Sequence, residues 1–489
     1  MDKLIDKFFE KYKNMPLPVK ASVWFTICSI LQKCISFITV PIFTRLLTTE
    51  QYGLFNVYQS WMSIIVIFAT LNLQYGVFNN AMIKYEDDRD TCISSLQGLS
   101  TILTLIIFIV YLVSKNFWNS LFKLPTILML CMFAEIFTAP ALGFWSGKQR
   151  FDYKYKKLVI ITFGMSVVSP IIGVLAVLST DNKGVMRILS AALVNVIVCS
   201  IIYVLNMIKG KKFFVKKYWK YALAFNVPLI PYYLSQMVLN QSDRIIINNI
   251  SGTDKAGLYS VAYSFALILT FILNAINNSF VPWTYKKLKS GRYSDIANIS
   301  DALAIFIGVS LILLIAFAPE MIRIVAAPEY YESVWVVPPV SASLFFLFLA
   351  QLYINVEWYF EENFLLVKAS LLSAVINIIL NIIFIRIFGY VAAGYTTLIC
   401  YIIFVFNNYY YMKKVCKKHI ESDSEIKIYN GKNLVIISSI FLLMVFTFTL
   451  LYRFMIIRYL IIILILMIIL IKRNYILEKI KKIRAEKNS

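Results

Sequence analysis

Lys33 stands near the middle of an apolar run long enough to cross a bilayer, a place where a cation costs roughly 3 kcal/mol on insertion scales. Ser22, Thr26, Ser29, Lys33 and Ser36 recur at spacings of 4, 3, 4 and 3, which puts them on one face of a helix. A cation flanked by hydroxyls suits an anionic group, and Lys33, Ser29 and Ser36 are therefore candidate substrate-binding residues. The competing reading is a salt bridge inside the membrane, with Glu135 as the partner. Glu135 is the one acid deep within the apolar runs of the first half, so it is also the candidate for coupling to H+ or Na+. A second polar face carries Tyr232, Gln236, Asn240 and Asp243, followed by Arg244. From it Gln236, Asn240 and Arg244 join the substrate-binding candidates and Asp243 the ion-coupling candidates, unless Asp243 and Arg244 form only an interfacial pair. A third stripe comprises Ser370, Ser373, Asn377 and Asn381. A polar stripe in a membrane helix either meets water or bonds a neighbouring helix, and three at related places favour a lumen.

These side chains need elements to hold them, and the composition says which. The chain has 489 residues, 60% of them hydrophobic, with a mean hydropathy of +0.73, too apolar for a soluble protein of this length. Apolar runs recur from end to end, each able to span a hydrocarbon core of ~30 Å as a helix. Backbone groups in lipid must be bonded internally, so the runs are helices. The expectation is an all-α polytopic membrane protein with about 14 spans, near 21–43, 54–78, 94–113, 124–144, 158–178, 188–208, 222–242, 257–280, 298–317, 336–356, 367–386, 390–411, 433–451 and 455–471. Pro41, Pro228 and Pro231 fall in or near the spans that carry the first two polar faces, where proline would kink the helix.

A formal charge of +22 could suggest nucleic acid, but its distribution reads as topology. With the N-terminus inside, the inner segments carry 35 Lys and Arg and the outer loops 11, the positive-inside bias that puts both termini in the cytoplasm. The basic stretches Lys209–Lys220 and Lys472–Lys487 would also attract anionic lipids. Residues 1–20 read as an amphipathic interfacial segment. The seven cysteines show no metal-ligand spacing, no phosphate-binding GxxxxGK[ST] loop is present, and no outer loop is large enough for a catalytic domain. A transporter without cofactor or metal is expected, not an enzyme; a membrane polysaccharide polymerase or ligase is the rival from that class.

The stretches Gly53–Ser60 (GLFNVYQS) and Gly257–Ser264 (GLYSVAYS) share one pattern at an offset of 204 residues. Downstream, Asn72, Phe78 and Lys84 correspond to Asn274, Phe280 and Lys286, and Arg45 and Arg244 precede the two glycines. The offset covers six spans, an even number, so two six-helix bundles related by an axis along the membrane normal are expected. That divides the chain into an N-terminal segment 1–20, a first bundle 21–208, a linker 209–221, a second bundle 222–411, a basic loop 412–432, two extra helices 433–471 and a tail 472–489. Each glycine is expected to permit a tight outer turn.

Four stretches bear a family likeness. RLLTTEQYGLFNVYQSW after the first span, NVPLIPYYLSQMVLNQSDRIIINNISGTDKAGLYSVAYS around the seventh, PEMIRIVAAPEYYESVWVVPP (Pro319–Pro339) and INIILNIIFIRIFGYVAAGYTTLICY (Ile376–Tyr401) resemble the Wzx-type flippases of bacterial polysaccharide units. The likeness covers about residues 20 to 415. It implies membership of the superfamily of multidrug exporters and lipid II flippases, and a MATE-like fold of two six-helix bundles with two extra helices. It further implies transfer of undecaprenyl-pyrophosphate-linked oligosaccharides from the inner to the outer leaflet of the bacterial cytoplasmic membrane, driven by H+ or Na+ through alternating access. The products would be O-antigen, capsule or exopolysaccharide, and other polysaccharide assembly proteins would be partners. Placing Lys33 in the first span, where the exporter branch has an acid, fits an anionic pyrophosphate or acidic sugar better than a cationic drug. A cation-coupled multidrug exporter is the alternative within the superfamily.

Overall fold

A computed structural model of the chain describes residues 15–360, 362–420 and 428–471. The expected amphipathic N-terminal segment lies mostly outside these residues, and the basic tail 472–489 lies wholly outside them. Every regular element among them is helical, as expected where lipid cannot bond a free backbone. Twelve helical stretches are long and apolar enough to cross a membrane, and the protein is a multi-pass membrane protein. The remaining two expected spans are also helical. Ala392–His419 is 28 residues long but carries a polar final turn with Lys417, Lys418 and His419, and Met455–Ile471 has 17 residues.

The chain packs as two compact units, Met1–Gly257 and Leu258–Ser489. The first contains α1 (Leu17–Leu46), α2 (Thr49–Thr70), the short α3 (Val77–Lys84), α4 (Arg89–Val113), the short α5 (Lys115–Phe122), α6 (Thr126–Phe151), α7 (Tyr155–Leu178), α8 (Lys183–Gly210), α9 (Lys216–Asn226) and α10 (Ile230–Ile250). Between α9 and α10 a 3-10 turn at Val227–Leu229 holds Pro228, while Pro231 occupies the first turn of α10. The expected proline break is thus real in this span, because proline at those positions gives up no helical hydrogen bond. Pro41 is instead carried inside α1.

One end of this unit is tied by side chains at the start of α4 and the end of α6. Lys148 of α6 bonds Asp90 at 2.6 Å, and Arg89 meets Asp152 at 3.4 Å and the carbonyl of Met82 at 2.8 Å. After α2, Leu71 and Asn72 both adopt left-handed backbone with φ of 50°, strained for residues with a Cβ. The fully buried Asn226 donates to the Leu71 carbonyl at 2.7 Å, which holds the break between α2 and α3 in place. Asn274, the residue matched to Asn72 by the repeat, lies within a helix, Thr270–Lys289. The correspondence of the two copies does not extend to local conformation here.

The glycines of the repeat do something other than turn. α2 begins at Thr49 and α11 (Thr253–Ala266) at Thr253, so Gly53 and Gly257 are each the fifth helical residue. Neither has a positive φ; in the second copy the turn is made by Gly252, with φ of +104°. In the first copy no glycine is needed, because Thr48 and Gln51 close a capping box. A Cβ on Gly53 would lie 1.9 Å from the Thr253 carbonyl oxygen, and one on Gly257 would lie 2.1 Å from that of Thr49. The expected outer turn is replaced by a close backbone crossing that only glycine permits.

The second unit continues with α12 (Thr270–Lys289), α13 (Tyr293–Val325), α14 (Val337–Tyr359), α15 (Asn363–Phe388), α16 (Ala392–His419), α17 (Gly431–Leu450) and α18 (Met455–Ile471). Here the polar stripe of α15 meets no open space. Ser370, Ser373, Asn377 and Asn381 are fully buried; Asn377 donates to Thr397 of α16 at 3.2 Å, and Thr396 bonds Asn381. This stripe joins two helices, the alternative to a lumen-facing role. The final hairpin is held by an ion pair between the buried Arg458 of α18 and Glu320 of α13.

Candidate functional site

The first unit carries every candidate residue named from the sequence. On α1, Ser22, Thr26, Ser29, Lys33 and Ser36 are all exposed. The hydroxyls of Thr26, Ser29 and Ser36 are satisfied within the helix: Thr26 donates to the Ser22 carbonyl at 2.9 Å, Ser29 to that of Phe25 at 2.8 Å and Ser36 to that of Gln32 at 3.0 Å. The polar face of α1 therefore presents itself outward without competing for backbone donors.

Ser29 also lines a cavity of about 280 Å³ between α1, α6 and α7. Its polar walls come from Gln32, Gln74, Ser146, Arg150 and Thr162. Two sulfur contacts join α1 to α7 and to itself, Cys28 to Thr162 at 3.6 Å and Gln32 to Cys28 at 3.3 Å. Gln74 packs so closely on Gly143 that a Cβ there would lie 1.9 Å from its carbonyl oxygen. Gln74, Ser146 and Arg150 were not among the residues expected from sequence. The first follows the strained turn after α2, and the others occupy the last turns of α6, outside any polar periodicity.

Glu135 is buried on α6 and takes hydrogen bonds on both oxygens: Tyr58 of α2 donates to Oε1 at 2.8 Å, and Asn195 of α8 to Oε2 at 3.1 Å. A salt bridge to Lys33 is not how this acid is accommodated. Two neutral donors from separate helices satisfy it without a counter-charge.

On α10, Asp243 is fully buried and Arg244 nearly so, six residues before the helix ends. Both side chains are packed inside the unit. Arg244 Nη1 donates to the Asn240 carbonyl at 3.0 Å and to Gln241 Oε1 at 2.7 Å. Gln241 Oε1 also accepts from Ser60 of α2 at 3.2 Å. Asn240 Nδ2 donates to the Gln236 carbonyl at 2.7 Å.

The motif helix α2 links these groups. Tyr58 and Ser60 are two residues apart, roughly opposite one another on a helix. One reaches Glu135, and the other reaches the partner of Arg244. Phe55, from the same motif, stacks 4.6 Å from the Arg187 guanidinium, which Phe43 of α1 covers from 4.0 Å. Arg187 is buried in the first turn of α8, and its Nη1 has no hydrogen-bond partner among the described residues. Sequence reading placed Arg187 in an outer loop because the apolar run begins only at Ile188. No signal short of the packing distinguishes it from a loop cation.

A family profile described as "Polysaccharide biosynthesis protein" matches residues 19–287. Among curated relatives, the Lsg locus protein 1 of Haemophilus influenzae strain Rd is 24% identical over 372 residues, covering 73% of this chain and 89% of that protein. An uncharacterized membrane protein of the same strain is 23% identical over 286 residues, covering 56% and 66%. Among solved structures, the lipid II flippase MurJ in an inward closed conformation superposes with a TM-score of 0.68 at 16% identity, covering 94% of this chain and all of that one. An inward-facing multidrug resistance MATE family transporter gives 0.57 at 12% identity, covering 80% and 96%. The fold is thus that of the MurJ and MATE transporters, as the sequence led one to expect. With more than half of its length matched by the profile, the chain belongs to the polysaccharide biosynthesis protein family.

Proposed function

We propose that this protein carries undecaprenyl-pyrophosphate-linked oligosaccharide units from the inner to the outer leaflet of the bacterial cytoplasmic membrane, with both termini in the cytoplasm. The observation that carries this reading is the α1 face. An exposed cation, Lys33, sits with Ser29 and Ser36 on a helix otherwise apolar enough to span the membrane, and Ser29 opens onto a polar cavity. An intramembrane cation is kept where it meets water or an anion, and a pyrophosphate supplies the anion. Arg150 lines that cavity and supplies a cation to it. Gln236, Asn240 and Arg244 on α10 offer amides and a guanidinium to the sugar or phosphate. Glu135 and Asp243 are the buried acids that H+ or Na+ would neutralise as the transporter changes state.

The test is transfer of a labelled lipid-linked oligosaccharide across vesicles containing the purified protein, with the chain's native unit as substrate. Lys33→Ala should slow transfer at least tenfold and Lys33→Glu should abolish it, with protein levels unchanged. Full transfer by Lys33→Glu removes the anion-contact role. A multidrug exporter, the second reading, has the MATE likeness of the fold in its favour. It predicts altered tolerance to cationic compounds and unchanged surface polysaccharide in cells lacking the protein.

A further inference from the structure

Glu357 of the second unit is fully buried, and neither of its carboxylate oxygens has a hydrogen-bond partner among the described residues. It lies two residues before the end of α14. Other acids among the described residues are provided for differently. Glu135 has two donors, and the half-buried Glu320 has Arg458.

Among the described residues, the charged groups of the elements packed around this end of α14 are bonded elsewhere or exposed. From α12, Lys287 bonds Asp295 at 2.7 Å; from α13, Asp301 accepts from Asn433 of α17 at 2.7 Å. Lys418 and His419 of α16 both hold Glu362. Lys286, Lys289, Lys368, Lys413 and Lys432 are exposed. The titratable group of α16 that faces Glu357 is the buried Cys416 thiol, close enough to interact with it electrostatically. Tyr429, the neighbouring phenol, spends its proton on the Leu352 carbonyl at 2.7 Å.

An ionised carboxylate in this place would have lost its hydration with neither a donor nor a counter-charge among the described residues in return, whereas the neutral acid loses only hydrogen bonds. We propose that Glu357 is a proton-binding site of the second unit: the carboxyl carries its proton in this packed arrangement and releases it to water when the end of α14 opens. The step is a simple dissociation, the O–H bond breaking and the proton passing to water, and the carboxylate left behind opposes reclosure until it is protonated again. Its use in transport rests on the function proposed above; its protonation state does not.

Infrared difference spectroscopy of the purified full-length protein tests this directly. Subtracting the Glu357→Gln spectrum from wild type at neutral pH should reveal the C=O stretch of one protonated carboxylic acid. Loss of the paired stretches of an ionised carboxylate in its place overturns the proposal. Should the Gln variant fail to fold, Glu357→Leu serves for the same subtraction, and the same two outcomes decide. Vesicle transfer of the lipid-linked unit is measured separately on the wild type. A failed transfer assay with the protonated band present refutes the transporter reading and leaves the proton site standing.

Discussion

Gly53 and Gly257 pack against each other reciprocally: a Cβ on the first would lie 2.9 Å from the amide nitrogen of the second, and a Cβ on the second 3.1 Å from that of the first. The two copies of one sequence pattern thus meet at the first turns of α2 and α11, each backbone filling the space that a side chain would take.

Gly53→Ala and Gly257→Ala should each lower stability by about 1–3 kcal/mol, the range for overpacking in a close-packed interior. Since both insert a methyl into one crossing, the double variant should depart from additivity. Thermal melts of the detergent-purified protein measure this. Melting temperatures equal to wild type for both single variants would show that the helices do not cross so closely.

Tyr58→Phe removes the donor to Glu135 Oε1 and leaves a buried oxygen unsatisfied, at a cost of about 1–3 kcal/mol. Glu135→Gln keeps the shape and removes the ionisable group. If Glu135 couples transport to an ion, the Gln variant should fold normally and transfer substrate at a rate indifferent to an imposed H+ or Na+ gradient. Gradient dependence as in wild type would take the coupling role away from Glu135.

Arg187→Lys is not a conservative change, because the planar guanidinium stacks between Phe43 and Phe55 and an ammonium cannot. A loss of about 1–2 kcal/mol is expected from the cation–π contacts. Restoring stability by Arg187→Met, which fills the slot without a charge, would show that packing and not charge is what the site needs. A stability for Arg187→Lys equal to wild type contradicts the stacking.

Outside the spans, Lys418 and His419 hold the Glu362 carboxyl below its usual range, chiefly through hydrogen bonds. An acid whose folded pKa is depressed stabilises above its unfolded value, about 4.3, and that contribution disappears as pH falls through the lower folded value. Hydrogen exchange at the start of α15 and the end of α16 should therefore rise on acidification, and Glu362→Gln should show the faster exchange already at neutral pH. Equal exchange in variant and wild type at neutral pH would mean the contact does not order this junction.

Hydropathy and spacing located the helices well because burial in lipid is a local requirement: each span must satisfy its backbone and its apolar surface by itself. Ala392–His419 was legible despite its basic end, and Met455–Ile471 despite its short length. Periodicity likewise located the polar faces of α1, α10 and α15. What a face meets is a property of neighbours, and here sequence ran out. The α1 stripe is exposed, whereas the Ser370–Asn381 stripe is buried against α16. Glu135 found Tyr58 and Asn195, 77 residues before and 60 after it in the chain, and no spacing rule connects such partners.

The sequence by itself determined the all-helical membrane architecture, the repeat and the family, because composition, charge asymmetry and an ordered pattern are written along the chain. Only the tertiary structure decided what the repeated motif is for. Its glycines allow two backbones to cross, its Tyr58 satisfies Glu135 and its Ser60 reaches the partner of Arg244. The same packing leaves Glu357 buried without a donor among the described residues. Close approach and hydrogen-bond supply depend on distances between helices, and those arise only when the chain is packed.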